Sequence, residues 1–450
     1  MTALAQTGAD MNVAVARSDL GDVAGALAGV SARLPGDGKV KDIRKHAFDA
    51  FETAGIPHRR IEDWKYTDLR TLMPSVAPLA DAPDQAAIGR AEAAIAARAV
   101  DGFRKLVLVD GAFVPQLSDL GKLEAGLTIR ALRDVLDDAG APHDTLLDTS
   151  AMSNAMSDLN TALMTDGVVI DVAANAELTE GLHILHVATG AGAAAIVTRS
   201  QLRLGRHAKA MLVESFYAAE GAGAYQNHDA VMLTVGEGAQ LEHIRFMDDG
   251  REAVNITSGY VTLGRNARLN TFNLTTGASV SRYQLAITFA DQGGELTTNG
   301  VNLLKGRQHG DTTFTVDHAV PHCTSRETFR AVLDGQSRSV FQGCIVVRPD
   351  AQKTDGKMMS RTILLSDEAV VDNKPELEIF ADDVTCGHGA TIGALDEALL
   401  FYLRARGLPE KEAQAVLIQA FVGEMIETIA DERLRDIAIA ETERWLAARG

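Results

Sequence analysis

Hydrophobic residues recur along the chain with two different periods, and this difference divides the sequence into three zones. Between residues 166 and 392, short apolar runs alternate with turns rich in Gly, Asn and Asp, a pattern typical of β-strands. Before and after this zone, apolar positions recur at helical spacing. The pattern therefore predicts a mainly helical region at 1–165, an all-β core at 166–392 and a helical region at 393–450.

The N-terminal zone contains clear signals for a helix and for a hairpin. Residues 40–54 place four apolar side chains on one helical face, and Gly55 follows as a usual helix ending. Near residues 106–114, an apolar run, the turn Asp110-Gly111 and a second apolar run predict a β-hairpin. The four apolar residues of the helix are Val40, Ile43, Ala47 and Phe51. We expect a mainly helical zone with a small β insertion.

The middle zone carries a weak internal repeat. Gly205, Gly236 and Gly264 each follow an apolar strand, and an alanine stands three residues after each of them. Their spacings of 31 and 28 residues suit one coil of a solenoid, in which stacked strands pair with the coil before and the coil after. A β-sandwich also shows regular turns and is the main alternative on pattern alone. We favour a stacked parallel β-helix for this zone.

The C-terminal zone returns to helical spacing. One apolar stretch ends at Gly407, and Pro409 precedes a second stretch that has acidic residues in its first turn. Two interpretations stay open for these helices. They form either a self-packed cap over the open end of the solenoid or a platform on which a partner docks.

Composition and charge narrow the range of partners. The chain of 450 residues has a formal net charge of -18, and no block of lysine and arginine offers a surface for nucleic acid or anionic lipid. No apolar run approaches the roughly 20 residues that span a bilayer. The first 20 residues lack the pattern of an export signal. We expect a cytoplasmic protein that binds neither nucleic acid nor membrane.

The segment Thr385-Cys386-Gly387-His388 carries the most interesting chemistry. On a strand, Cys386 and His388 share a face, so a thiol and an imidazole converge on one spot suited to iron or an iron-sulfur unit. The same pattern is typical of a buried thiol beside a hydrogen-bonded histidine. The chain has only three cysteines and no C-x-x-C pair, and two ligands are too few for a cluster. The metal interpretation therefore requires a second chain.

Other polar groups are interpreted more simply. A second group places two imidazoles, a carboxylate and a thiol within seven residues, as either a metal site or a polar turn joined by hydrogen bonds. Its members are Asp317, His318, His322 and Cys323. His183, His186 and Cys344 lie in apolar runs and are interpreted as packing residues.

Motifs of common enzyme classes are missing from the sequence. Each of three Gly-Lys pairs is followed by Val, Leu or Met, so none ends a nucleotide-binding loop. Neither G-x-S-x-G nor H-E-x-x-H occurs. A β-helix enzyme acting on carbohydrate would need acid and base residues that converge on one face, and usually an export signal. Neither is evident, so we expect a protein that is not an enzyme.

Two long stretches resemble the SufB/SufD family of iron-sulfur cluster assembly scaffolds. Residues 59–69, RRIEDWKYTDL, resemble a signature of the SufD branch, R-x-E-D-W-K-Y-T-D-L. Residues 317–409 resemble the core and C-terminal signature of the family nearly throughout. The resemblance is weaker in residues 1–40 and 75–165.

The resemblance implies a right-handed parallel β-helix flanked by N-terminal and C-terminal helical domains. It also implies a paralogous SufB chain paired through the β-helix and a SufC ATPase docked on the C-terminal helices. A nascent Fe-S cluster would form at the SufB/SufD junction, where the chain would also take part in iron acquisition. Carried onto this sequence, His388 is the candidate ligand from the SufD side, with Cys386 beside it. Gly387 stands where the family often has serine.

Alternatives within this interpretation stay open. The chain could be a SufB-like paralogue, although the signature at residues 62–67 and the scarcity of cysteines favour SufD. It could also be an interaction-only scaffold with no metal ligand. The sequence leaves undecided whether isolated chains form a homodimer, which cluster type is assembled and whether a flavin takes part.

Overall fold

The structure is a computed structural model that describes residues 33–449. The stretch considered above for an export signal lies outside these residues. The structure is mainly β, and the strands build a parallel solenoid of about eight turns. In chain order the strands are β1 Phe103–Val109, β2 Ala112–Phe113, β3 Leu127–Ala131, β4 Val168–Val172, β5 Gly181–Ala188, β6 Ala194–Leu204, β7 Lys209–Ala218, β8 Tyr225–Val235, β9 Gln240–Asp248, β10 Val254–Leu263, β11 Arg268–Thr275, β12 Val280–Phe289, β13 Glu295–Leu304, β14 His309–His318, β15 Thr324–Leu333, β16 Arg338–Val347, β17 Asp355–Leu364, β18 Val370–Ile379 and β19 Thr385–Gly393.

Helices flank the solenoid on both sides in sequence. None of the described helices is long and apolar enough to cross a bilayer. In chain order they are α1 Lys39–Ala54, α2 Leu69–Leu72, α3 Gln85–Ala96, α4 Leu132–Asp137, α5 Asp144–Leu147, α6 Ala155–Leu163, α7 Glu397–Ala405, α8 Glu410–Ile426 and α9 Glu432–Ala447. The helix predicted at residues 40–54 is confirmed, and Gly55 caps it through its backbone N–H to the Phe51 carbonyl.

Two sheets form the walls of the solenoid. The first sheet has ten strands in the order β19-β17-β15-β13-β11-β9-β7-β5-β1-β2, and the second has nine in the order β18-β16-β14-β12-β10-β8-β6-β4-β3. From β4 onward each strand pairs in parallel with the strand two places further along the chain. The stacked parallel β-helix is therefore confirmed, and the β-sandwich is wrong.

The glycine repeat marks a corner where successive coils touch. A Cβ atom on Gly205 would lie 2.5 Å from the backbone nitrogen of Ala174, and one on Gly236 would lie 2.6 Å from the carbonyl oxygen of Leu204. The backbone N–H of Gly236 donates to that same carbonyl at 3.0 Å. Glycine has no side chain to clash in this approach, and it occupies the corner in three successive coils, whereas Ala290 and Arg348 occupy the equivalent position in later coils.

The predicted hairpin is confirmed, and one of its strands also forms part of the first sheet. β1 and β2 pair antiparallel around Asp110-Gly111. β1 also pairs in parallel with β5, so it extends the first sheet. The β insertion therefore belongs to the solenoid wall rather than to a separate unit.

The three largest apolar clusters of the described chain hold most of these parts together. One fills the solenoid interior along its length. A second lies between the N-terminal helices and the second sheet, and includes Phe51, Trp64 and Leu159. The third joins α8 and α9 to the outer face of the first sheet, with Val422 and Trp445 near Phe272. The C-terminal helices α8 and α9 therefore pack against the side of the solenoid and do not cover its open end.

Candidate functional site

Cys386 and His388 lie on β19, the last strand of the first sheet. In the parallel register Cys386 stands opposite Gly356 and His388 opposite Met358 of β17. Met358 is buried in the interior cluster, and positions two apart on a strand share a face. Both side chains therefore belong to the inward-facing row of the last coil, as the sequence predicted for a strand.

This inward-facing row is open because no described strand follows it. β19 ends the first sheet and β18 ends the second, so the interior of the solenoid is uncovered at this coil. His388 is exposed and Cys386 is half-buried, although the equivalent positions one coil earlier are buried. We call this surface, formed by β18 and β19, the open end.

The two candidate ligands differ in chemistry. Partial burial raises the pKa of the Cys386 thiol, and the nearby carboxylates Asp355 and Glu327 raise it further. A thiol binds metal as thiolate, so this setting disfavours Cys386 as a ligand in the isolated chain. An exposed imidazole can bind metal in its neutral form. His388 is therefore the better placed ligand of the pair.

Glu327 is a polar feature beneath the open end that the sequence analysis missed. It stands on β15 opposite Met358, in the row that leads outward to His388. Both carboxylate oxygens are buried without a hydrogen-bond partner among the described residues. Burial raises the pKa of Glu327 to about 7. The strand period offers one hint, since Glu327 stands two residues from Ser325 and two from Phe329, which face inward.

The 59–69 segment fixes the N-terminal region to the second sheet. Trp64 is buried, with the Arg282 guanidinium 3.9 Å from the centre of its ring. Glu62 Oε1 lies 2.7 Å from Lys374 Nζ on β18. The segment therefore reaches the last coil of the solenoid, which explains why aromatic and acidic residues stand together in it.

Comparison with known proteins identifies the family. The model of the SUF system FeS cluster assembly SufBD core domain matches residues 186–421, and the model of the SufBD protein N-terminal region matches residues 37–184. The chain belongs to the SufBD family. The resemblance seen in the sequence is thereby confirmed.

Relatives of this SufBD chain cover most of its length. It is 30% identical over 403 residues to an iron-sulfur cluster assembly SufBD family protein of Synechocystis, with 86% of each chain covered. It is 29% identical over 391 residues to the iron-sulfur cluster assembly protein SufD of Escherichia coli, with 86% of this chain and 88% of the relative covered. A SufBD family protein of Mycobacterium tuberculosis is 28% identical over 406 residues, with 88% and 90% covered.

The side chains of the second polar group, at residues 317–323, do not come together at one site in this SufBD chain. His318 is buried and its Nε2 lies 2.9 Å from Ser325 Oγ, whereas Asp317 forms an ion pair with Arg348 near the surface. His322 is exposed at a turn with positive φ, and Cys323 is buried. These residues form the polar turn that the sequence offered as one of two interpretations.

The remaining candidates divide into packing residues and one member of a polar cluster. His183 is buried, with Nε2 2.8 Å from Ser215 Oγ. Cys344 lies on β16, and burial together with nearby carboxylates raises the pKa of its thiol to about 11. Both act in packing, as predicted. His186 is also buried, but its side chain adjoins the carboxylates of Glu214 and Asp229.

Proposed function

We propose that this SufBD family chain is a SufD-type, non-catalytic scaffold subunit. It pairs through its open end with a SufB-type paralogue, binds a SufC ATPase through its C-terminal helices, and helps to acquire iron and to form a nascent Fe-S cluster at the junction. The observation that carries the proposal is the position of His388, which combines an exposed imidazole with the open end of a solenoid. A ligand in this position is accessible to a second chain.

The two edge strands support pairing with another chain. β18 and β19 each have a neighbour on one side only, so one row of backbone N–H and C=O groups on each is unpaired within the described chain. Such edges extend readily by adding strands of another chain. Apolar side chains adjoin them, including Ile392 and Phe380, which is 60% exposed. A paralogue with the same fold would continue both sheets and cover these residues.

Helix α7 supports the docking of an ATPase subunit. None of its residues is buried, although it carries three large hydrophobic side chains. Leu399 is 52%, Phe401 74% and Tyr402 54% exposed. α8 and α9 pack on the first sheet, whereas α7 carries the most exposed large apolar side chains of the C-terminal region and offers them to a partner.

Substitution of His388 tests the proposal. We expect the His388→Ala chain, co-expressed with SufB-type and SufC-type chains, to assemble the complex normally but to hold less iron and sulfide per complex. The reason is that one cluster ligand is lost while the edge strands are unchanged. His322→Ala is the matched control, because it removes another exposed imidazole outside the open end. Cys386→Ser should reduce loading less than His388→Ala.

The outcomes separate a ligand from a purely structural subunit. Iron and sulfide are measured in the purified complex and followed with time during reconstitution. If the His388→Ala complex loads at the wild-type rate and yield, the ligand role is wrong and the chain acts as an interaction-only scaffold. If no complex forms with wild-type chains, the pairing itself is wrong.

A further inference from the structure

A cluster of ligand-type side chains lies inside the first coils of the solenoid, at the opposite end from His388. His186 of β5, Glu214 of β7 and Asp229 of β8 each offer one ligand atom, and these atoms all lie within 4.8 Å of one another. All three side chains are buried. They come from both sheets and therefore meet across the interior.

Each of these side chains also has a buried polar atom without a hydrogen-bond partner among the described residues. The atoms are His186 Nε2, Glu214 Oε1 and Asp229 Oδ2. Leaving a buried polar atom unpaired costs about 1–3 kcal/mol, and more for a charged group. Three such atoms in one cluster indicate that a bound species satisfies them.

A neighbouring carboxylate shows the contrasting case. Asp249 is also buried, but its Oδ1 accepts hydrogen bonds from the Tyr225 hydroxyl at 2.6 Å and from Asn227, and its Oδ2 accepts one from Asn255 at 2.7 Å. The protein therefore supplies full sets of donors to a buried carboxylate elsewhere in this interior. In the cluster, by contrast, Glu214 Oε1 and Asp229 Oδ2 have no such donor among the described residues.

The surrounding residues hold the cluster in place through its other atoms. Glu214 Oε2 lies 2.7 Å from His243 Nε2, and Asp229 Oδ1 accepts a hydrogen bond from Thr198 at 2.6 Å. The His186 ring stacks on Phe216 with 4.2 Å between ring centres. One atom of each side chain is thus anchored or packed while another stays free, which is the arrangement of a preorganised ligand set.

The charges of this interior favour a cation. Arg245 lies beside the cluster, with its Nε 3.4 Å from Glu214 Oε2. Asp229 and Asp249 also lie within electrostatic range of this guanidinium. The Arg199 guanidinium also lies within electrostatic range of Asp229. The three buried carboxyl groups still outnumber the two guanidinium groups, so a bound cation would interact favourably with the cluster.

We propose that His186, Glu214 and Asp229 bind one divalent first-row transition metal ion, such as Mn²⁺, Fe²⁺ or Zn²⁺. One imidazole with two carboxylates suits these ions, whereas Ca²⁺ takes six to eight oxygen ligands. The ion would join β5 and β7 of the first sheet to β8 of the second. Because it binds the folded chain, it stabilises the early coils.

The test compares the metal content of purified full-length chains. Wild type, Asp229→Asn and His186→Gln are produced in medium supplemented with MnCl₂ or ZnSO₄, purified by gel filtration and analysed by elemental mass spectrometry. We expect about one ion per wild-type chain and at least tenfold less in either variant, because each loses a ligand. Glu327→Gln is the matched control, since it removes another buried inward-facing carboxylate and should retain the ion.

Thermal unfolding gives a measurement of ion binding that does not depend on the assembly of an Fe-S cluster. Prolonged treatment with a chelator should lower the unfolding temperature of the wild type and leave that of Asp229→Asn unchanged. If wild type and both variants hold equal amounts of metal, or if wild type holds less than about a tenth of an ion, the site is wrong. A water molecule or a proton on Asp229 then satisfies the unpaired atoms. His388→Ala should keep the ion, so this failure is distinct from failure of the scaffold proposal.

Discussion

At the scale of single residues, the interior of the solenoid is more polar than its strand pattern suggests. Inward-facing positions include carboxylates, imidazoles and a guanidinium beside the expected aliphatic side chains. Glu327 is the clearest example, because it has no hydrogen-bond partner in the described chain while Met358 separates it from His388. A group of this kind makes stability depend on pH.

Glu327→Gln should stabilise the chain at alkaline pH and have little effect in acid. Burial raises the pKa of Glu327 in the folded chain to about 7, above its ordinary value of 4.5. The folded state therefore binds more protons between these values, so stability falls as pH rises from 4.5 through 7. The shift corresponds to about 3 kcal/mol as an upper bound, and the neutral amide avoids this loss.

Urea unfolding at pH 5 and pH 8 measures this effect. The gain in unfolding free energy for Glu327→Gln should be much larger at pH 8 than at pH 5. Glu378→Gln, at an exposed position of β18, serves as the control and should show no such difference. An equal effect of Glu327→Gln at both pH values would contradict the buried, protonated state.

At the scale of elements, the N-terminal and C-terminal regions differ in how far their large apolar side chains are buried. The 59–69 segment buries Trp64 against the solenoid, whereas α7 leaves its large apolar side chains in solvent. Exposed apolar residues that are contiguous on one helix mark binding surfaces more often than isolated ones do. The C-terminal region thus combines a packed part, α8 and α9, with the unpacked helix α7.

Phe401→Ala should weaken binding of a SufC-type ATPase by at least about tenfold, because large aromatic residues carry much of the energy of an interface and Phe401 is the most exposed large side chain of α7. The chain should stay folded, since Phe401 is 74% exposed. Ile439→Ala on α9 is the control, because it shortens another exposed apolar side chain on a helix. Binding is measured by titration calorimetry. Equal affinities for the two variants would place the docking surface elsewhere.

At the scale of the whole molecule, buried neutral histidines make the fold sensitive to acid. Burial lowers the pKa of His183 to about 3 and those of His309 and His318 to about 4. The unfolded chain binds protons at these residues near pH 6.5, whereas the folded chain does not. Stability is therefore present above pH 6.5 and lost as pH falls toward 4.

We expect the urea midpoint to fall steeply between pH 7 and pH 5. In His318→Gln the dependence of unfolding free energy on pH, measured near pH 5, should be shallower by about one bound proton. The exposed His46→Gln substitution should leave this dependence unchanged. An identical slope in His318→Gln and wild type would show that His318 is not buried in its neutral form.

The sequence predicted the solenoid because its cause is local. Gly205 and Gly236 recur where a coil corner excludes a side chain, and the two-residue period of each strand sets which positions face inward. The same period correctly put Cys386 and His388 on one face. The open end itself needed the structure, because strand order decides which coil is last.

The interior cluster escaped prediction for the opposite reason. His186, Glu214 and Asp229 stand on three strands from two sheets, and their distance apart depends on the stacking register. Seen alone, His186 in an apolar run is an ordinary packing residue. The docking of Trp64 against Arg282 joins residues more than 200 positions apart and was equally hidden. Spacing along the sequence therefore predicts the strands and the coil corners. It does not predict which side chains from different strands come into contact.

The strand order also determines which coil of the solenoid unfolds locally most easily. Each middle coil is held by two neighbours, but the coil formed by β18 and β19 is held by one. In a stack with nearest-neighbour contacts, such a terminal coil frays first and its amides exchange with solvent before those of the middle. His388 stands on this coil. Docking of a second chain would therefore give these edge strands a second neighbour. The imidazole would then be held in a fixed position in the assembled state and not in the isolated chain.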